Sequence, residues 1–123
     1  MPRRMEILNM PLTPDALAPG DARRAVEARF ATHPRAADLL LCVSEVVTNA
    51  VRHAGPPHSL RLSQAGDLLR VEVADAEPQA PILTQQDPLS TSGRGLRILD
   101  QLATRWGSEP TEDGKAVWFE FEL

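Results

Sequence analysis

Residues 35–54, RAADLLLCVSEVVTNAVRHA, constrain the rest of the chain more than any other stretch. Pro34 stands before the run and Gly55-Pro56-Pro57 after it, so a helix of about five turns is bounded at both ends. At about 100° per residue, Leu39, Val43, Val46, Val47, Ala50, Val51 and Ala54 fill one wide apolar arc. Such an arc must be covered by a sheet or by other helices. Glu45, Thr48, Asn49 and Arg52 fall together on the opposite arc, flanked by Ser44 and His53.

A polar arc is ordinarily a solvated face. Two details set this one apart. Thr48 and Asn49 are poor helix formers, which an exposed face has no reason to prefer. The Glu/Lys pairs of a surface face are also missing. Glu45 and Asn49 lie one turn apart, so their side chains are neighbours. An asparagine carbonyl suits Mg²⁺, a hard cation that takes a few protein oxygens together with phosphate and water. A glutamate one turn away can orient or deprotonate an incoming hydroxyl. His53, at the helix C-terminus, serves equally well as a simple complement to the helix dipole.

The remaining elements fit around this helix. Met5–Leu12 reads as a strand, and Asp21 can cap a first helix over residues 22–31. Ser59–Ser63 and Leu68–Ala74 form a hairpin about the turn Ala65-Gly66-Asp67. Residues 76–92 are rich in Pro, Gln, Ser and Thr and have no period, as in a long loop of functional kind. A third helix follows Gly93-Arg94-Gly95, and Arg105–Glu109 and Ala116–Leu123 form a last hairpin. The order predicts an α/β, two-layer sandwich of a mixed, mostly antiparallel sheet covered by helices. At 123 residues, the chain is sized for one domain spanning 1–123.

Two further features point to a ligand. In Leu69–Asp75, the residues Leu69, Val71 and Val73 share one face and Asp75 continues it. An inward carboxylate at a strand's end needs a donor, and an adenine amino group is one; a turn-initiating role is the alternative. The turn Ser92-Gly93-Arg94-Gly95 before a helix offers free N–H groups and a guanidinium to an anion, although glycines also simply punctuate loops.

Composition excludes other classes. The net charge of −4 gives no overall field for nucleic acid, and no direct nucleic-acid partner is expected. There is no G-x-x-x-x-G-K-[ST] phosphate loop. Cys42 is the only cysteine, read as a small buried helix residue. No signal peptide and no apolar run near 20 residues is present, so the expected location is cytoplasmic, without a membrane partner.

Together these segments resemble the histidine-kinase-like (GHKL) ATPase superfamily of gyrase, histidine kinases and mismatch-repair proteins. More closely they resemble the bacterial anti-sigma-factor serine/threonine kinases. Ser44–Ala54 is similar to that family's N box, Val71–Asp75 to the strand entering its first glycine box, and Ser92–Leu99 to its second. Arg105–Gly107 and Gly114–Phe119 are similar to its closing hairpin. The resemblance implies ATP and Mg²⁺ as cofactors. It implies Asn49 as Mg²⁺ ligand, Glu45 as general base, and Asp75 as acceptor for the adenine amino group. His53, Ser92, Gly93, Arg94, Gly95 and Leu96 would line the nucleotide, under residues 76–92 as a lid.

The implied partners are a sigma factor and an anti-sigma-factor antagonist of STAS type, with a possible homodimer through the first strand and helix. Two departures weaken the adenine end. Residues 76–81 lack the family's glycines and place Glu77 near the nucleotide. Ala116 stands where a Thr or Ser commonly helps hold adenine, a loss of about 0.5–1.5 kcal/mol. The alternative function is a catalytically degenerate partner-binding module with weak or no ATP binding.

Overall fold

The architecture comes from a computed structural model that describes residues 3–77 and 91–123, with residues 91–96 described by backbone path alone. Eight elements follow in order: β1 (Met5–Leu12), α1 (Ala18–Phe30), α2 (Ala36–His53), β2 (His58–Ala65), β3 (Leu68–Asp75), α3 (Thr91–Leu102), β4 (Arg105–Pro110) and β5 (Lys115–Glu122). The sheet runs β1-β2-β3-β5-β4. Each of its pairings is antiparallel, so the expected mixed sheet is antiparallel throughout the described residues.

Alternation along the strands decides which side the helices take. Opposed pairs Val71–Phe119, Val73–Val117 and Leu69–Phe121 put one apolar face on β3 and β5, and Leu60 and Leu62 extend it onto β2. Phe119 and Phe121 meet edge to face at 5.7 Å between ring centres. Onto this face α2 lowers Leu39, Val43, Val46 and Val47, all buried. Helix α2 lies against both α1 and α3. The apolar arc read from the sequence is therefore the face that meets the sheet.

The other face of the sheet carries no helix in the described residues and is built from charges. Arg70 is buried there, 2.6 Å from Glu109, 3.4 Å from Glu120 and 3.7 Å from Glu72. Its guanidinium stacks 4.2 Å above the Trp118 ring. Arg61 pairs with Glu72 at 2.7 Å and Arg105 with Glu120 at 2.6 Å. Two buried carboxylates are thus each met by arginine, the condition for keeping charge inside a fold.

Several element ends differ from the sequence reading, by two residues or fewer at β2, β3 and β4, and three starts differ for a local reason. Helix α1 starts at Ala18, so Asp21 lies inside its first turn; Asp15 receives the Leu17 N–H just ahead of the helix at 2.9 Å. Helix α3 starts at Thr91 rather than after Gly95, which takes Gly93-Arg94-Gly95 into the helix. Strand β5 starts at Lys115, one residue early, because Asp75 pairs with Lys115 across β3 and β5.

Cys42 is fully buried in α2, and that burial, reinforced by the nearby Asp38 carboxylate, pushes its thiol from an ordinary 9.0 up to about 12. The folded thiol therefore holds a proton that an unfolded cysteine releases. Its contribution to stability is complete below about pH 9 and is lost as pH rises toward 12, by about 1.4 kcal/mol per pH unit. Urea unfolding at pH 8 and pH 10 should show a steeper loss for the native chain than for Cys42→Ala. Iodoacetamide at pH 8 should alkylate Cys42 only as the chain unfolds.

Candidate functional site

The ends of α2, β3 and β5 meet at one edge of the helix-covered face. Ala76 N–H donates to Gly55 O at 2.9 Å, which ties the end of β3 to the chain just beyond α2. His58 Nε2 lies 3.0 Å from Ala54 O and anchors the same corner to β2. The C-terminal end of α2 and the strand-end Asp75 thus meet at this corner, with Asn49 about one turn and Glu45 about two turns back along the helix.

Asn49 and Glu45 are both half-buried on α2. Asn49 Oδ1 is fully enclosed and has no hydrogen-bond partner among the described residues. A buried carbonyl oxygen without a donor is costly unless something else completes it. A hard cation does so, and the donor set of one amide oxygen with a carboxylate one turn away fits Mg²⁺ rather than a soft metal. Among the described residues no cluster of three His, Cys, Asp or Glu forms a complete metal cage. His53, at the last position of α2, is exposed.

The strand end is arranged differently from expectation. Asp75 is buried on the helix side, as its parity with Val71 and Val73 requires. Its carboxylate is already engaged. Lys115 Nζ lies 3.1 Å from Oδ1 and 3.0 Å from Oδ2, and Glu77 N–H donates to Oδ1 at 2.7 Å. Lys115 is itself buried and also reaches Glu77 O at 3.5 Å. Of the roughly four lone-pair positions on a carboxylate, part of Oδ2 is left for a ligand donor.

Gly114 is what brings these groups together. A Cβ at this position would lie 2.1 Å from Asp75 O and 2.7 Å from Ala76 Cα. Only glycine lets the start of β5 press against the end of β3 this closely.

Ala116 is not part of this constellation. Lys115 and Val117 point to the helix side, and Ala116 points to the other. There it lines a shallow trough with Ser59, Ala74, Glu109 and Thr111. Lys115 is the residue of this hairpin that faces the site, and the sequence reading passed over it. The signal was available: it is the only lysine in the chain, in phase with Val117, Phe119 and Phe121.

The second glycine segment is partly described. Arg35 at the start of α2 donates to Leu102 O at the end of α3, 2.9 Å away. The opposite end of α3, with Gly93, Arg94 and Gly95, therefore points away from the first turn of α2. As first-turn residues of a helix beginning at Thr91, Ser92, Gly93 and Arg94 carry backbone N–H groups with no partner inside the helix. The side chains of Ser92, Arg94 and Leu96, and residues 78–90 of the expected lid, lie outside the described residues.

The family model for the histidine kinase-like ATPase domain matches residues 10–121. The chain belongs to that family. The match runs from the end of β1 almost to the end of β5 and includes Glu45, Asn49, Asp75 and Lys115. A relative, the protein SCO4941 of Streptomyces coelicolor, is 38% identical over 80 residues, 61% of this chain and 76% of that protein, and is described as uncharacterized. For an ATPase domain of this family, ATP is the ligand that the site implies. Among the described residues no helix is long and apolar enough to cross a membrane.

The closeness of Gly114 to Asp75 makes this turn the most sensitive point of the ATPase domain's strand end. Gly114→Ala should displace the Asp75–Lys115 pair and destabilise the fold by about 1–3 kcal/mol or more. Urea denaturation of the variant beside the native chain measures the loss.

Proposed function

We propose that the chain is an ATP-binding regulatory protein that phosphorylates a serine on an anti-sigma-factor antagonist and sequesters a sigma factor. The single observation that carries the ATP and Mg²⁺ part of this reading is the enclosed, unpartnered Oδ1 of Asn49 one turn from Glu45. The partner part rests on the resemblance of Ser44–Ala54 to the anti-sigma-factor kinases. A homodimer through β1 and α1 belongs to the same reading.

In this reading Asn49 Oδ1 holds the cation, which when bound offsets phosphate charge during transfer. Glu45 accepts the proton of the incoming serine hydroxyl. Asp75 Oδ2 accepts from the base. The first-turn N–H groups of α3 meet phosphate, and the resemblance implies Arg94 as the positive charge that accompanies them. Phosphoryl transfer asks a protein mainly for positioning and electrostatics, which this set of groups supplies.

The segment after Asp75 favours retained binding over a degenerate module. Residues 76–81 lack the family's glycines, yet Ala76 and Glu77 are held in place by their own backbone N–H bonds to Gly55 O and Asp75 Oδ1. At these two residues hydrogen bonds fix the backbone that glycine would leave free.

The test is calorimetry with Mg–ATP, followed by transfer of labelled phosphate to STAS-type antagonists from the same genome. Asn49→Ala should weaken Mg²⁺-dependent ATP binding by at least the roughly 10–100-fold typical of disturbed metal sites. Glu45→Gln should keep binding and lose about 10²–10⁴-fold in transfer. Affinity weaker than millimolar in the native chain would favour the partner-binding module instead.

A further inference from the structure

Asp75 already holds, from within the chain, the kind of donor that a ligand would bring. Lys115 Nζ lies 3.1 Å from Oδ1 and 3.0 Å from Oδ2, and the Glu77 N–H donates to Oδ1 at 2.7 Å. The lone-pair position left on Oδ2 is enclosed, since the Asp75 side chain is 2% exposed and that of Lys115 8%. A donor from outside therefore meets this carboxylate only after something moves aside. The backbone around it is held. Ala76 N–H is tied to Gly55 O, and Gly114 packs directly against Asp75 O and Ala76. The lysine side chain is the movable part. It is a flexible four-carbon stem whose further contact, with Glu77 O at 3.5 Å, is at the limit of a hydrogen bond.

We propose that Lys115 is an autoinhibitory latch: its ammonium closes the Asp75 carboxylate in the free chain and swings out when the amino group of an adenine takes that place. The proposal rests on the nucleotide reading of this site. The displaced ammonium recovers its strong hydration in water, and the volume of its stem becomes the room that the base edge enters. A charge-assisted pair is about twice as strong as a neutral hydrogen bond, so the closed arrangement prevails without ligand. ATP is then bound by the minor open population, and its affinity is reduced by that fraction. Anchoring of the phosphates and cation at Asn49 supplies the free energy that opens the latch.

Lys115 is the only lysine of the chain, so its amine can be followed in the native protein. Acetylation by an N-hydroxysuccinimide ester, read by peptide mass, should be slow in the free chain. Saturating Mg–ATP should speed it about tenfold or more, as expected when an open state of roughly 1–10% becomes the dominant one. Mg–tripolyphosphate, which carries no base, should leave the rate at its free-chain value. Bound ATP that slows the labelling or leaves it unchanged would overturn the latch, and so would an equal acceleration by tripolyphosphate. In calorimetry, Lys115→Thr should strengthen Mg–ATP binding by about 10–100-fold, because the closed state is gone. A lysine that merely contacted the nucleotide or supported the fold would give the opposite sign, and equal or weaker binding by a folded Lys115→Thr overturns the proposal. Should that variant fail to fold, labelling of the native chain decides. If neither chain binds Mg–ATP, the nucleotide reading itself falls; if the native chain binds it and Lys115 stays protected, only the latch falls.

Discussion

Strands β3 and β5 run side by side for eight residues in unbroken register, from Leu68–Glu122 to Asp75–Lys115. Because side chains alternate, that register fixes two surfaces at once. On one side it stacks Leu69–Phe121, Val71–Phe119 and Val73–Val117 as the floor on which α2 rests, and it ends in an ion pair. On the other it sets Arg70 opposite Glu120 and Glu72 opposite Trp118. A slip of one residue would send the phenylalanines to the charged side and bring Glu120 beneath α2. The apolar floor, the charged outer face and the Asp75–Lys115 corner therefore stand or fall together.

The charged face explains how a sheet with one helical layer keeps its second side closed. Arg70 is surrounded by three carboxylates and an indole, and Glu72 and Glu120 each have a second, more exposed arginine in Arg61 and Arg105. The flat Trp118 ring needs room beneath it. Gly107 provides that room, since a Cβ there would come within 3.0 Å of the indole. The Arg105-Trp106-Gly107 segment thus has a packing reason of its own, independent of any ligand.

Much of this was legible in the sequence because it follows from periodicity. The α2 arc, the strand alternation and the inward Asp75 all come from counting in steps of 3.6 or 2. Ala116 and Lys115 were legible by the same count, but motif spacing drew attention to the position after Gly114-Lys115 instead of to the parity of β5. Other features were not legible. The start of α1 depends on Asp15 accepting the Leu17 N–H, a local bond that competes with Asp21 as a cap. The start of α3 is not announced by Gly93-Arg94-Gly95, because glycine is an unfavourable helix residue and its presence reads as a boundary. The charged face was hidden because alternating Arg and Glu look like ordinary solvated positions until the register shows them opposing each other.

The two ends of the site differ in how their polar groups are satisfied, and this difference assigns them different work. At Asn49 the enclosed oxygen has no partner within the described chain, and in the proposed reading the cation supplies one. At Asp75 the carboxylate is complete without a ligand, held by Lys115 and by the Glu77 N–H. A group that is already satisfied gains little from a new partner, whereas an orphaned one gains the whole of its lost solvation. In the proposed reading, binding energy should therefore concentrate at the metal and phosphate end. In the proposed reading the base end, already satisfied by Lys115 and the Glu77 N–H, adds less to affinity than the metal and phosphate end.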